Sequence, residues 1–310
     1  MKRMACIGEC MTELSEHPDG TLLRGFGGDT LNTALYLARL GAPVDYVTAL
    51  GDDPFSDAMI AAWAAEGVGT DLIPRLADRL PGLYLIQTDD RGERRFFYWR
   101  DSAPVRQLFR LPQIRVIEAA LCEAELIYFS GITLSLFDAS GRDRLFDVLS
   151  RARARGVRIA FDTNFRPRVW PDIRVARAVF ERAFQASDIV LASVEDHALL
   201  HGPADPEAVA HRLRAAGVGE TVVKLASPAC HVITGGAGEL VAADAVADVI
   251  DTTAAGDSFA AGYLAARRAG CSAAAAARIG HTLAGAVVRH RGAIIPQAAM
   301  PAITLAPEAP

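Results

Sequence analysis

Short apolar runs that stop at a small or polar residue alternate along this chain with longer segments whose apolar positions recur at helical spacing. "ACIGE" (5–9) predicts a first strand, and "TLNTALYLARLG" (30–41) a helix closed by Gly41. "VDYVTALG" (44–51) predicts a second strand and "PFSDAMIAAWAAEG" (54–67) a second glycine-terminated helix. Further strands are expected at "LIYFSG" (126–131), "VRIAFDTN" (157–164), "DIVLAS" (188–193) and "TVVKLA" (221–226). Helices fall between them, such as "SGRDRLFDVLSRARARG" (140–156), and another is expected at the alanine run 273–277. This alternation predicts an α/β fold, a mostly parallel sheet with helices on both faces. The expected strands end in Gly131, Asp162, Asn164 and Ser193, and such sheets bind ligands beyond the carboxyl ends of their strands.

Two segments break this rhythm. "MTELSEHPDGTLLRGFGG" (11–28) and "GLYLIQTDDRGERRFFYWR" (82–100) read as strand–turn–strand units, with "DDRGE" as the turn of the second. Together they predict a small antiparallel sheet of about four strands, set off from the main sheet. A lid over a ligand is its natural use, and the alternative is an ordinary extra hairpin at a sheet edge. With no internal repeat and no Pro/Gly linker, residues 1–310 are expected to form a single domain whose lid comes from about 11–27 and 82–103. The tail "PAITLAPEAP" is expected to fray.

Composition narrows the function classes. Of the 310 residues, 51% are hydrophobic and 22% charged, enough for a sizeable core. The net charge is −5, from 32 basic and 37 acidic residues, with no basic tail. That balance argues against nucleic acid or an anionic membrane as partner. The five cysteines, Cys6, Cys10, Cys122, Cys230 and Cys271, include no C-x-x-C pair, which fits reduced thiols in a cytoplasmic protein better than a disulfide framework or a zinc site. The apolar run near the start is broken by Gly8 and Glu9, too soon for a signal peptide, and no run is long enough to span a bilayer.

The richest chemistry lies in "DTTAAGDSF" (251–259), which precedes a helical segment, "SFAAGYLAARRAG", that stops at Gly270. Ala254, Ala255 and Gly256 then sit at a helix N-terminus, where unpaired N–H groups and the positive dipole end favour an anion. Small side chains let a phosphate approach closely, and Gly256 is free to adopt a backbone conformation closed to other residues. Asp257 falls in the first turn, where the dipole is expected to keep it ionised and able to accept a proton. An aspartate there serves equally well as a helix cap. No G-x-x-x-x-G-K-[ST] loop occurs, so a phosphate would have to be held by such a helix start.

"DTTAAGDSF" resembles the D-T-x-G-A-G-D signature of the ribokinase-like, or PfkB, carbohydrate kinases, and the resemblance runs along nearly the whole chain. "GFGGDTLNTA" (25–34) is similar to that family's sugar-binding segment, and "SVED" (193–196) stands where the family has Asn-x-x-Glu near the metal-nucleotide. "GECMTELSE" (8–16), "LPGLY" (80–84), "GERRFFYWR" (92–100), "FDTNFRPRVW" (161–170) and "RGAIIP" (291–296) resemble the family members that phosphorylate keto-deoxy sugar acids. The resemblance implies a three-layer αβα ribokinase-like fold with a β-sheet lid. It also implies ATP-dependent phosphorylation of 2-keto-3-deoxygluconate at its 6-hydroxyl, with Mg²⁺. Asp257 would be the base, and the amides of Ala254, Ala255, Gly256 and Asp257 the anion hole. Gly28, Asp29 and Asn32 would line the sugar pocket, with Tyr84, Tyr98 and Arg100 reaching in from the lid. Arg166 would meet both the substrate carboxylate and the nucleotide. Ser193, Lys224, Ala226 in the loop 225–229, Gly256 and His281 would border ATP, and Asp196 the metal. Lids in this family often pair, so a homo-oligomer through Phe97 and Trp99 is expected.

Planar guanidinium groups suit a carboxylate, which agrees with an acidic substrate. Three departures stand out: Ala254 replaces a glycine, Ser193 and Asp196 replace Asn and Glu, and "KLASPAC" lacks the usual glycine after its lysine. Rival readings are a fructokinase, ribokinase or keto-deoxygalactonate kinase, which would share Asp257, and a sugar- or nucleotide-binding regulator, which has no use for a base. A Rossmann dehydrogenase would need G-x-G-x-x-G after the first strand, where "IGECMTE" stands instead.

Overall fold

The computed structural model describes residues 2–17, 19–88 and 94–306. Its first part holds β1 (Met4–Ile7), β2 (Met11–Glu16), β3 (Leu22–Gly27), α1 (Asp29–Arg39), β4 (Val44–Val47), β5 (Leu50–Gly51), α2 (Pro54–Ala65), β6 (Arg75–Leu76), β7 (Leu83–Thr88) and β8 (Arg94–Trp99). The centre follows with α3 (Ile114–Leu121), β9 (Leu126–Ser130), α4 (Gly131–Leu136), α5 (Ala139–Arg153), β10 (Arg158–Asp162), α6 (Ile173–Ala186), β11 (Ile189–Ser193) and α7 (Val194–His201). The last part holds α8 (Pro206–Ala215), β12 (Glu220–Lys224), β13 (Ala229–Thr234), β14 (Ala237–Ala242), α9 (Ala255–Arg268) and α10 (Ala273–Val287).

Eight strands form one sheet in the order β14-β13-β12-β11-β10-β9-β1-β4, parallel except for the last hairpin. Its inner strands are apolar through their middles because both faces are covered, and polar residues stand at their ends. On one face Ile7, Phe129 and Phe161 meet Leu145 of α5 and Phe180 of α6; on the other Met4, Cys6 and Tyr128 meet Leu31 of α1, Phe259 of α9 and Leu283 of α10. Aspartates start several helices: Asp53 accepts from the amides of Phe55 and Ser56, and Asp138 from Gly141. The predicted strands and helices are present, with ends displaced by a few residues. Among the described residues no helix is long and apolar enough to cross a membrane.

Three features differ from expectation. The strand expected over 44–51 stops at Val47, and Leu50–Gly51 pairs instead with Arg75–Leu76. There the chain packs so closely on Arg79 that a Cβ on Gly51 would fall 1.8 Å from the Arg79 carbonyl oxygen. The small sheet runs β3-β2-β7-β8 and is not wholly antiparallel: β2 and β7 pair in parallel, because each hairpin enters the sheet by its first strand. The "DDRGE" turn lies outside the described residues. The hairpin β13–β14, turned by Gly235 and Gly236 at φ +59° and +90°, extends the main sheet beyond the parallel strands and was not foreseen.

Candidate active site at the carboxyl ends of the strands

Neighbouring parallel strands end in polar side chains: Ser130 on β9, Asp162 on β10, Ser193 on β11 and Lys224 on β12. The start of α9 faces them across a cavity of about 480 Å³ whose lining includes Asp29, Asn164, Arg166, Asp196, Lys224 and residues 252–257. No side chain caps α9; its N-cap is Ala254, in left-handed backbone at φ 60° and ψ 15°. The left-handed residue of this turn is therefore Ala254, and Gly256, expected in that role, is not among the residues of positive φ. A Cβ on Gly256 would stand 3.6 Å from Lys224 Nζ, beside the first-turn amides.

Asp257 is the third residue of α9. Its Oδ2 accepts a hydrogen bond from Asn32 Nδ2 at 2.8 Å, and its carbonyl accepts one from Thr33 Oγ1 at 3.2 Å, which ties the start of α9 to α1. The expectation that the helix dipole holds this group ionised is corrected here. Burial, then the charge of Asp29, push the Asp257 carboxyl up to about 7, against the Asn32 hydrogen bond. A carboxyl of that kind is ready to change protonation state near neutral pH.

Lys224 Nζ lies 3.0 Å from Asp162 Oδ2. Burial works against its charge, but Asp162, Asp196 and Asp257 outweigh it and hold the ammonium above the ordinary lysine value. Asp29 accepts from Ser130 Oγ at 2.5 Å and from Asn164 Nδ2 at 2.8 Å. Ser193 caps α7 by accepting from the Asp196 amide at 3.0 Å. Asp196 accepts from Thr163 Oγ1 at 2.7 Å and lies 3.6 Å from Arg166, whose side chain is 56% exposed.

Asp257, Ala254, Ala255, Gly256, Asp29, Arg166, Ser193, Lys224 and Asp196 thus share one cavity, with Asn32 joined to it through Asp257. Other expected site residues stand elsewhere. Gly28 is the extended N-cap of α1, where a Cβ would fall 2.0 Å from the Glu9 carbonyl oxygen. Tyr84 is buried and donates its hydroxyl to Glu13. Arg100 forms a buried ion pair with Glu9, whose carboxyl burial lifts above the usual value while Arg100 opposes the shift. Tyr98 is half-exposed and packs with Phe96 and Tyr84, at ring centroid distances of 6.3 and 6.0 Å. Ala226 is in the exposed turn between β12 and β13. His281, on α10, lies within 3.2 Å of the Val241 carbonyl and lines a second cavity of about 680 Å³ with Asp244, Gly285 and Arg289. Ser130, Thr163 and Glu9 were missed. Their signal was a polar residue closing an apolar run, the same signal that marked Asp162 and Asn164 without assigning them a role.

Among the described residues no group of three or more acidic, histidine or cysteine side chains could hold a metal ion. Paired single carboxylates remain, at Asp196 and at Glu195 beside it in the cavity.

The chain is similar in sequence and fold to known proteins. The chain is 46% identical over 309 residues to a 2-dehydro-3-deoxygluconokinase of Dickeya dadantii, covering 97% of this chain and 99% of that one. It is 34% identical to a protein of the same name from Haemophilus influenzae, over 97% and 98% of the two chains. Among solved structures, fructokinase with bound ATP from Xylella fastidiosa superposes with a TM-score of 0.83 at 28% identity, over 97% of this chain and 96% of that one. The model of the pfkB family carbohydrate kinases matches residues 1–300, and the chain belongs to that family.

Proposed function

We propose that this protein transfers the γ-phosphoryl group of ATP to the 6-hydroxyl of 2-keto-3-deoxy-D-gluconate, the acid also called 2-dehydro-3-deoxygluconate. The observation that carries the reading is Asp257, held by Asn32 at the start of a helix with no capping side chain, in a cavity that also holds Lys224. The relatives at 46% and 34% identity, named for this acid, support the choice of substrate.

The ionised Asp257 takes the proton of the substrate hydroxyl as its oxygen bonds to the γ-phosphorus. The bond from that phosphorus to the β–γ bridging oxygen breaks, and ADP leaves with the electron pair. Positioning and charge stabilisation do most of the work in such transfers. The first-turn amides of α9 and the Lys224 ammonium face the charge that develops. Mg²⁺ takes one or two carboxylates together with phosphate oxygens, and Asp196 and Glu195 fit that demand. Bound there, the ion would neutralise phosphate charge. His281 and its cavity would receive the rest of the nucleotide, with Ser193 and Ala226 along the way.

Arg166, mostly exposed at the cavity and paired only loosely with Asp196 at 3.6 Å, is the guanidinium that would meet the substrate carboxylate. The small sheet would close over the sugar as a lid of a single domain and exclude water. Strand alternation puts Phe96 and Tyr98 on the face of Tyr84, and Phe97 and Trp99 on the opposite one, where a second subunit would pair. A cytoplasmic location belongs to this reading and is supported by five free, buried cysteines.

An ADP-release assay over 2-keto-3-deoxygluconate, its galactonate-derived isomer, fructose and ribose tests the proposal. The expected kcat/KM for the gluconate-derived acid exceeds those for fructose and ribose by about 100-fold or more, since a site built for a charged group rejects analogues that lack it. A maximum on fructose or ribose overturns it.

A further inference from the structure

Asp29 is fixed in an asymmetric way. Both of its hydrogen bonds fall on Oδ2, from Ser130 Oγ at 2.5 Å and Asn164 Nδ2 at 2.8 Å, and neither uses Oδ1. The three residues come from different elements: Asp29 opens α1 just after β3 of the small sheet, Ser130 ends β9, and Asn164 follows β10. β9 and β10 are neighbours in the main sheet. Each donor is itself held. The Ser130 hydroxyl is fully buried and accepts from the Thr133 amide at 3.2 Å, which turns its proton toward Asp29. Asn164 sits at φ 25°, a region that asparagine tolerates better than most residues, and its amide is pinned to Asp162 Oδ1 at 3.1 Å. That bend delivers the side-chain amide to Asp29.

We propose that Ser130 and Asn164 are positioning residues that clamp one oxygen of Asp29, so that the other grips a hydroxyl of the sugar acid and sets the substrate in register with Asp257. A carboxylate bound by two donors on one oxygen cannot swing, and its acceptor is aimed before the substrate arrives. Asp29 and Asp257 line the same cavity, so a hydroxyl on Asp29 fixes the distance of the rest of the sugar from the base. Small errors of register are expensive in such reactions. The inference rests on the sugar-kinase reading of the site.

A double-mutant cycle tests it. Ser130→Ala and Asn164→Asp are each expected to raise the sugar KM about tenfold, the scale of a hydrogen bond to a charged group, with the ATP KM changed less than about twofold. In an Asp29→Ala background each is expected to add less than about twofold, because the clamp has nothing left to hold. Ser130→Thr, which keeps the hydroxyl, is expected to restore the wild-type KM within about twofold. Full tenfold effects in the Asp29→Ala background overturn the clamp, as does a loss confined to kcat. Should Ser130→Ala lose its helix cap and fail to fold, the Asn164→Asp arm decides alone. The cycle is read with whichever sugar the wild type phosphorylates. A wild-type preference for a neutral sugar therefore overturns the substrate proposed above, while missing coupling overturns the clamp.

Discussion

The start of α9 and the small sheet contribute to function in opposite ways. At α9 the side chains from Ala254 to Gly256 are nearly absent, so on the proposed reading the backbone would meet the ligand, and the one large side chain of the first turn, Asp257, is held by Asn32. In the small sheet the side chains are large and already partnered: Tyr84 with Glu13, and Arg100 with Glu9. On the proposed reading the first region would receive phosphate on backbone amides, and the second would have to give up an internal contact before its arginine met a ligand. A site of backbone donors binds by complementarity, whereas one whose charges are already paired binds by exchange.

The largest effect that separates the two regions is expected at Asp257. Asp257→Asn should lower kcat about a thousandfold while ATP affinity, measured by titration calorimetry, stays within a few-fold. With the wild-type carboxyl at about 7, kcat/KM should fall on the acid side of that pH and level off above it, because only the ionised form accepts a proton. Stability carries the opposite sign. The folded protein holds this proton more tightly than the unfolded chain, whose aspartate ionises near 3.8, so stability falls as pH rises from there to about 7. The asparagine variant escapes that loss, and its Tm should exceed that of wild type above pH 7 but not at pH 4. Retained turnover removes the base; an activity limb near pH 4 removes the buried, charge-crowded setting.

In the small sheet the sharper probe is Glu9→Gln. Glu9 and Arg100 have side chains 2% and 12% exposed, so removing one charge strands the other. The expected loss is about 3 kcal/mol in urea unfolding. The freed guanidinium should also lower the KM for the sugar acid a few-fold and leave that of a neutral sugar unchanged. If stability and KM are both unmoved, Arg100 is not held by Glu9 and the contrast between the regions fails.

What the sequence disclosed follows from the same contrast. Local patterns carried the sheet and the helix start at 255, because strand ends and helix starts are set within a few residues, while Lys224 was placed at the site only by the resemblance to a known family. The pairing of Arg100 with Glu9 was illegible: it joins residues 91 apart (100 − 9) through a small sheet whose parallel β2–β7 junction no hairpin signal encodes. Ser130 and Asn164 were visible only as polar closers of apolar runs. Their meeting at Asp29 depends on the pairing of β9 with β10 in the sheet and on where α1 begins beside them, which their own residues do not specify. The dipole argument at Asp257 failed for a similar reason, since Asp29 and the burial that outweigh it come from elsewhere in the chain.

The smallest effect concerns the turn itself. Ala254 occupies left-handed backbone at φ 60°, where a Cβ is strained and glycine is not. Ala254→Gly removes that strain but gives the unfolded chain more freedom, so the two changes offset in part. A net gain of about 0.5 kcal/mol in urea unfolding is expected. The amides of Gly256 and Asp257 keep their places in this variant, so kcat should stay within about twofold of wild type. A large fall in kcat would mean that the methyl group of Ala254 itself shapes the anion site. The backbone alone would then no longer account for the α9 half of the comparison, and both regions would depend on packed side chains.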